Sequence, residues 1–147
     1  MKRRVITMIS FLVSLSPLAC DITFTVKKTQ QLKHSRVVPD YPEGTELMIY
    51  ETERIFKNTK TCEGIEVLSE KRTGGYETRH GHGKGKTYST LNLTNGDKVY
   101  STTYTSAVAD KYGLTEATGA IVITGGTGKY KNISGRGRIH GKFGDLD

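Results

Sequence analysis

The segment that most limits how this chain can fold is "KTYSTLNLTNGDKVYSTTYTSAV", residues 86–108. Two runs rich in β-branched and aromatic residues flank Asn95-Gly96. Both residues of that pair tolerate positive φ, which makes it the strongest short-range hairpin signal known. Beyond residue 19 no stretch keeps a 3.6-residue hydrophobic period for twelve positions, so amphipathic helices are excluded as the main elements. Period-two reading predicts strands over 21–28, 45–56, 64–69, 75–80, 86–93, 98–108, about 118–124 and 130–140. The segment 33–44, with Pro39, Pro42 and Gly44, is predicted as a long loop. A chain of 147 residues makes one domain with a modest core. Seven or eight antiparallel strands must then close into a barrel or stack as a sandwich to cover their edges.

Sixteen of the 17 glycines follow residue 60, and the densest stretch is "GAIVITGGTGKYKNISGRGRIHG" (119–141). Spacing tests it as a phosphate cradle. A P-loop needs Gly, four residues, then Gly-Lys-Ser/Thr, so that backbone N–H groups wrap the phosphates and a hydroxyl meets Mg²⁺. Here Gly128-Lys129 is followed by Tyr130, and Ile123 stands where the first glycine belongs. The dinucleotide fingerprint fails equally, with Lys131 or His140 in place of its last glycine. The residues after the glycines alternate with period two, whereas an anion-binding loop opens a helix. The prediction is two strands joined by a tight Gly125-Gly126-Thr127-Gly128 turn with at least one positive φ.

Residues 1–19 form a separate unit. "MKRR" is cationic, and the predominantly apolar stretch of fifteen residues that follows falls short of the ~20 needed to span a bilayer. That pattern is a secretory signal. Its removal takes three of 22 basic residues, leaving 19 against 15 acids, a net charge of +4. Nucleic-acid binding needs a clustered basic stripe. The densest candidate, Lys129, Lys131, Arg136, Arg138 and Lys142, alternates with other residues along one strand face, which reads as solvated. No nucleic-acid partner is expected. The signal ends "LSPLAC", which resembles a bacterial lipobox at Ala19-Cys20, although Pro17 stands where leucine is usual. Cys20 is therefore either lipidated, giving the only expected membrane attachment, or paired with Cys62 in an oxidising compartment.

Three segments carry a family resemblance: "PEGTELMIYE", "KTYSTLNLTNGDKVY" and "AIVITGGTGKYKNISGRG". Together, and most specifically through Thr124 to Gly135, the chain over about 21–141 resembles the allene oxide cyclase-like group that includes the dirigent proteins. The resemblance implies a single antiparallel β-barrel of about eight strands over 20–147. It also implies export and a hydrophobic lumen that binds or steers a reactive small molecule. The catalytic residues of that group have no matching positions here, so none is carried over.

Candidate site residues come from the strand pattern. Tyr100 and Tyr104 share a face of their strand and Tyr88 lies on its hairpin partner, either lining a lumen as ligand contacts or packing across the surface. Glu51 and Glu53 share a parity with Leu47, Ile49 and Ile55; on a buried face either carboxyl is a candidate acid or base, and on a wet one neither is. His80 and His82 project to one side if their segment is extended, and with His140 would suit Zn²⁺; the more ordinary reading is a solvated glycine-rich turn. No metal or cofactor is expected, and oligomerisation is left open. Two function classes follow: an exported barrel that binds a small hydrophobic molecule or an envelope partner, and a cofactor-independent cyclase or isomerase. A buried ionisable side chain in the lumen would favour the second.

Overall fold

The computed structural model describes residues 26–110 and 115–143. They form one seven-stranded antiparallel sheet: β1 (Val26–Val37), β2 (Thr45–Phe56), β3 (Val67–Arg79), β4 (His82–Leu93), β5 (Lys98–Ala109), β6 (Thr115–Gly126) and β7 (Gly135–Phe143). The strands pair strictly in chain order. Among the described residues a 3₁₀ turn, Gly128–Tyr130, is the other regular element. The all-β antiparallel reading is therefore correct. The sheet is open, however: among the described residues β1 pairs with β2, β7 pairs with β6, and the two end strands do not meet.

The predicted elements shift in instructive ways. The strand expected over 21–28 lies mostly outside the described residues, and β1 instead runs through the first part of the predicted loop. Ser35, Arg36 and Val37 pair with Ile49, Met48 and Leu47, so the true connection is 38–44. The glycine-rich segment around His80 does hold an exposed turn, but a much shorter one than its glycines suggest. β3 and β4 extend up to a two-residue turn, His80-Gly81, with φ of 50° and 79°, the geometry that suits a twisted hairpin. Gly74, Gly75, Gly83 and Gly85 sit inside these strands. Asn95-Gly96 does form the β4–β5 turn, with Gly96 at φ 84°. The Asn95 side chain accepts from the Asp97 N–H at 3.0 Å and donates to the Asp97 carboxylate at 2.9 Å. After β6 the chain makes the 3₁₀ turn rather than a tight four-residue loop, with Gly125 at 145° and Gly128 at 53°.

From β2 to β7 one face of the sheet is the more buried, whereas the described residues of β1 are exposed on both faces. The core sits at one end of the buried face, where Phe56, Val67, Leu93, Val99, Ile121, Ile123 and Tyr130 cluster. Full burial of such side chains stabilises by about 1.5–3 kcal/mol each. Tyr130 enters this cluster from the 3₁₀ turn and donates its hydroxyl hydrogen to Glu63 at 3.1 Å. Lys129 pairs with the same carboxylate. The β2–β3 connection, which contains Glu63, is thereby fastened over the core. Beside it, Cys62 is disulfide-bonded; the chain's other cysteine, Cys20, and the whole predicted signal lie outside the described residues.

Candidate functional site

Antiparallel register places directly opposed residues on the same face, so the buried face can be read across the strands in rows. One row runs Arg54, Glu70, Leu91, Val99. The next runs Thr52, Arg72, Ser89, Ser101, Ile123. A third runs Tyr50, Gly74, Thr87, Thr103, Ile121, Gly137, and a fourth Met48, Tyr76, Gly85, Thr105, Gly119, Ile139. The face is thus divided. β2 and β3 contribute long charged and aromatic side chains, β4 and β5 short hydroxyls, and β6 and β7 isoleucine between glycines. The middle is well covered: Thr87 is 3% exposed, Ser89 and Ser101 5% each.

Gly74 determines how the polar side is built. It has no side chain between Tyr50 and Thr87, and a Cβ there would lie 2.9 Å from the Thr87 hydroxyl. The Tyr50 ring therefore crosses the gap, and its hydroxyl hydrogen-bonds Thr87 Oγ1 at 2.6 Å. The Tyr76 ring lies 6.0 Å from that of Tyr50, tilted by 51°. Burial raises the Tyr76 phenol above its usual pKa, with Tyr50 adding to the effect. The Arg72 guanidinium sits 5.9 Å from the Tyr50 ring centre, within cation–π range.

Next to these rings, Glu70 is shared by two arginines. Its carboxylate lies 3.8 Å from Arg54 Nη1 and 4.0 Å from Arg72 Nε. All three side chains are largely shielded, at 13%, 12% and 18% exposure for Arg54, Glu70 and Arg72. Both contacts exceed hydrogen-bond length, so the ion pairs leave donors unused. Arg54 Nε and Thr52 Oγ1 are buried and have no hydrogen-bond partner among the described residues. Burial, and secondly repulsion from Arg72, push the Arg54 pKa down to about 10; the guanidinium stays charged at neutral pH.

The structure places all five sequence-derived candidates on the other face. Glu51, Thr73, Tyr88, Thr102 and Val122 form one outer row. Tyr88, Tyr100 and Tyr104 are exposed there, and the Lys86 ammonium lies 4.8 Å and 5.5 Å from the rings of Tyr88 and Tyr104. Glu51 pairs with Lys71 at 3.1 Å, beside Glu53. The alternation that put both acids with Leu47 and Ile49 is real, but that face is outward: Ile49 is 67% exposed. His80 occupies the β3–β4 turn and His82 starts β4, so these two do not lie on one extended segment, and His140 on β7 meets Glu116 of β6 at 2.7 Å. Among the described residues no three metal-ligating side chains gather.

Sequence reasoning missed Arg54, Glu70 and Arg72. The signal was present in "IYETERIF", whose even positions, Tyr50, Thr52, Arg54 and Phe56, also form a face and end in a large aromatic. Comparison with known proteins finds no matching family model, no matching curated protein and no matching solved structure.

Proposed function

We propose that the chain is an exported β-scaffold that binds a small molecule with an apolar body on the buried face of its sheet, without catalysing a reaction. The observation that carries this reading is the shielded polar set of Tyr50, Thr52, Arg54, Glu70 and Arg72 beside a face of serine, threonine and glycine. A few fixed polar groups next to small and apolar ones are the usual make-up of a small-molecule site. In this reading the sheet belongs to a barrel of about eight strands, as the resemblance to the allene oxide cyclase-like group implies. The disulfide at Cys62 supports export, because such bonds persist in oxidising compartments. Among the described residues no helix is long and apolar enough to cross a membrane.

The alternative, a cofactor-independent cyclase or isomerase, draws on the same buried charges, since fixed dipoles and cations can stabilise developing negative charge. Shielded charge is the feature expected of the enzyme, but binding is favoured because the Glu70 carboxylate is held between two arginines and neither arginine can act as an acid or base at neutral pH. Native mass spectrometry of the protein purified from its own envelope tests the reading. A retained small molecule, lost in a Tyr50→Ala/Arg54→Met variant that still folds, is expected. Protein free of any ligand, with no binding in a screen of small apolar compounds, would overturn it.

A further inference from the structure

From the buried face we infer the chemical class of the ligand: an organic monocarboxylate whose head is taken by Arg54, Arg72 and Thr52. This deepens the binding reading and rests on it. Two guanidiniums face one carboxylate, so the cluster holds one unit of positive charge in excess within a shielded setting. An uncompensated buried charge is costly, and a carboxylate ligand supplies the missing partner. The unused donors fit the same head. Arg54 Nε and Thr52 Oγ1 are neighbours on one face of β2 and are both orphaned among the described residues, while Glu70 holds neither arginine within hydrogen-bond distance. A guanidinium presents a planar fork that matches a carboxylate, and a threonine hydroxyl can donate beside it. The single excess charge favours a monoanion over a phosphate dianion. The body would then lie toward Leu91, which is paired with Glu70 and only partly buried.

The test uses three probes with one body and different heads: 2-naphthoate, 2-naphthalenemethanol and 2-naphthyl phosphate, titrated by calorimetry against the full mature chain. We expect the carboxylate to bind at least tenfold more tightly than the alcohol and more tightly than the phosphate. Arg54→Met should abolish the preference for the carboxylate over the alcohol while leaving alcohol affinity within about twofold. Because that variant changes a shielded side chain, a second one moves the other way. Glu70→Gln removes the competing carboxylate and should strengthen naphthoate binding several-fold without affecting the alcohol. Equal binding of acid and alcohol, or naphthoate binding weakened by Glu70→Gln, overturns the carboxylate assignment and leaves the binding reading standing. Tightest binding of the phosphate overturns the monoanion argument. Failure of all three probes to bind overturns both readings together.

Discussion

Gly128 shows how one residue decides between two readings of the glycine-rich stretch. Its φ of 53° lies in the left-handed region that β-branched residues rarely enter. A Cβ there would also crowd the Asp97 carboxylate, but that group ends a flexible side chain and can move aside, so the backbone term dominates. Gly128→Val should therefore destabilise the fold by about 1–3 kcal/mol, the scale of a forced backbone state. Gly128→Asn should cost less, because asparagine tolerates this region. Thermal melts check both. ATP should not shift the parent's midpoint, since the stretch continues from β6 through a 3₁₀ turn into β7 and opens no α-helix. A Gly128→Val midpoint equal to the parent's, together with stabilisation of the parent by ATP, would restore the phosphate-loop reading.

Among the elements, turns were legible in the sequence and inward faces were not. Asn95-Gly96 announced the β4–β5 hairpin because its backbone requirement is local. His80-Gly81 is an equally tight turn, yet Gly74, Gly75, Gly83 and Gly85 around it made the region look like loop. Their role is tertiary: at Gly74 and Gly83 a neighbouring strand's backbone leaves no room for a Cβ. The choice of inward face stayed open in the sequence for a related reason. Beyond the core end, where Leu91, Leu93 and Val99 face inward, the inward side of β4 and β5 is mostly serine, threonine and glycine while tyrosines stand outside, so hydrophobic alternation is a poor guide there. A register shift between Val67 and Ser69 then changes the parity that brings Glu70 inward, and one-residue shifts of this kind cannot be read from a single strand. The fastening of the β2–β3 connection by Lys129 and Tyr130 is similarly non-local. It predicts a pH effect. The Lys129 hydrogen bond, and then that of Tyr130, hold the Glu63 carboxyl below its usual 4.5. A depressed carboxyl pKa adds stability above the unfolded value, and this is lost as pH falls through the folded value. Parent minus Glu63→Gln stability should accordingly be small and positive at neutral pH and shrink as pH falls below about 4.5. Added salt should also reduce it, because the pair is exposed. A gap that widens on acidification would contradict the assignment.

At the scale of the whole molecule, β1 and β7 are the edge strands among the described residues, which raises the question of what keeps those edges from the strands of other copies. Long, flat, apolar edges recruit partners, and charged side chains, lysine above all, are the common defence. Both end strands here are basic. β1 carries exposed Lys27, Lys28 and Lys33, and β7 carries exposed Arg136 and Arg138. Head-to-tail pairing of β1 in one copy with β7 in another would bring these like charges together, at a cost governed by screening. The Debye length is about 30 Å at 0.01 M salt and about 3 Å at 1 M. The purified chain should hence be monomeric at low ionic strength and shift toward larger species as salt rises, the reverse of an assembly held by ion pairs. Replacing Lys27, Lys28 and Lys33 with threonine, which suits strands, should produce the larger species already at low salt. Size-exclusion chromatography with light scattering reads both. An oligomer that is present at low salt and dissociates as salt is added would show that charge attraction, and not the withheld pairing of two basic edges, governs association.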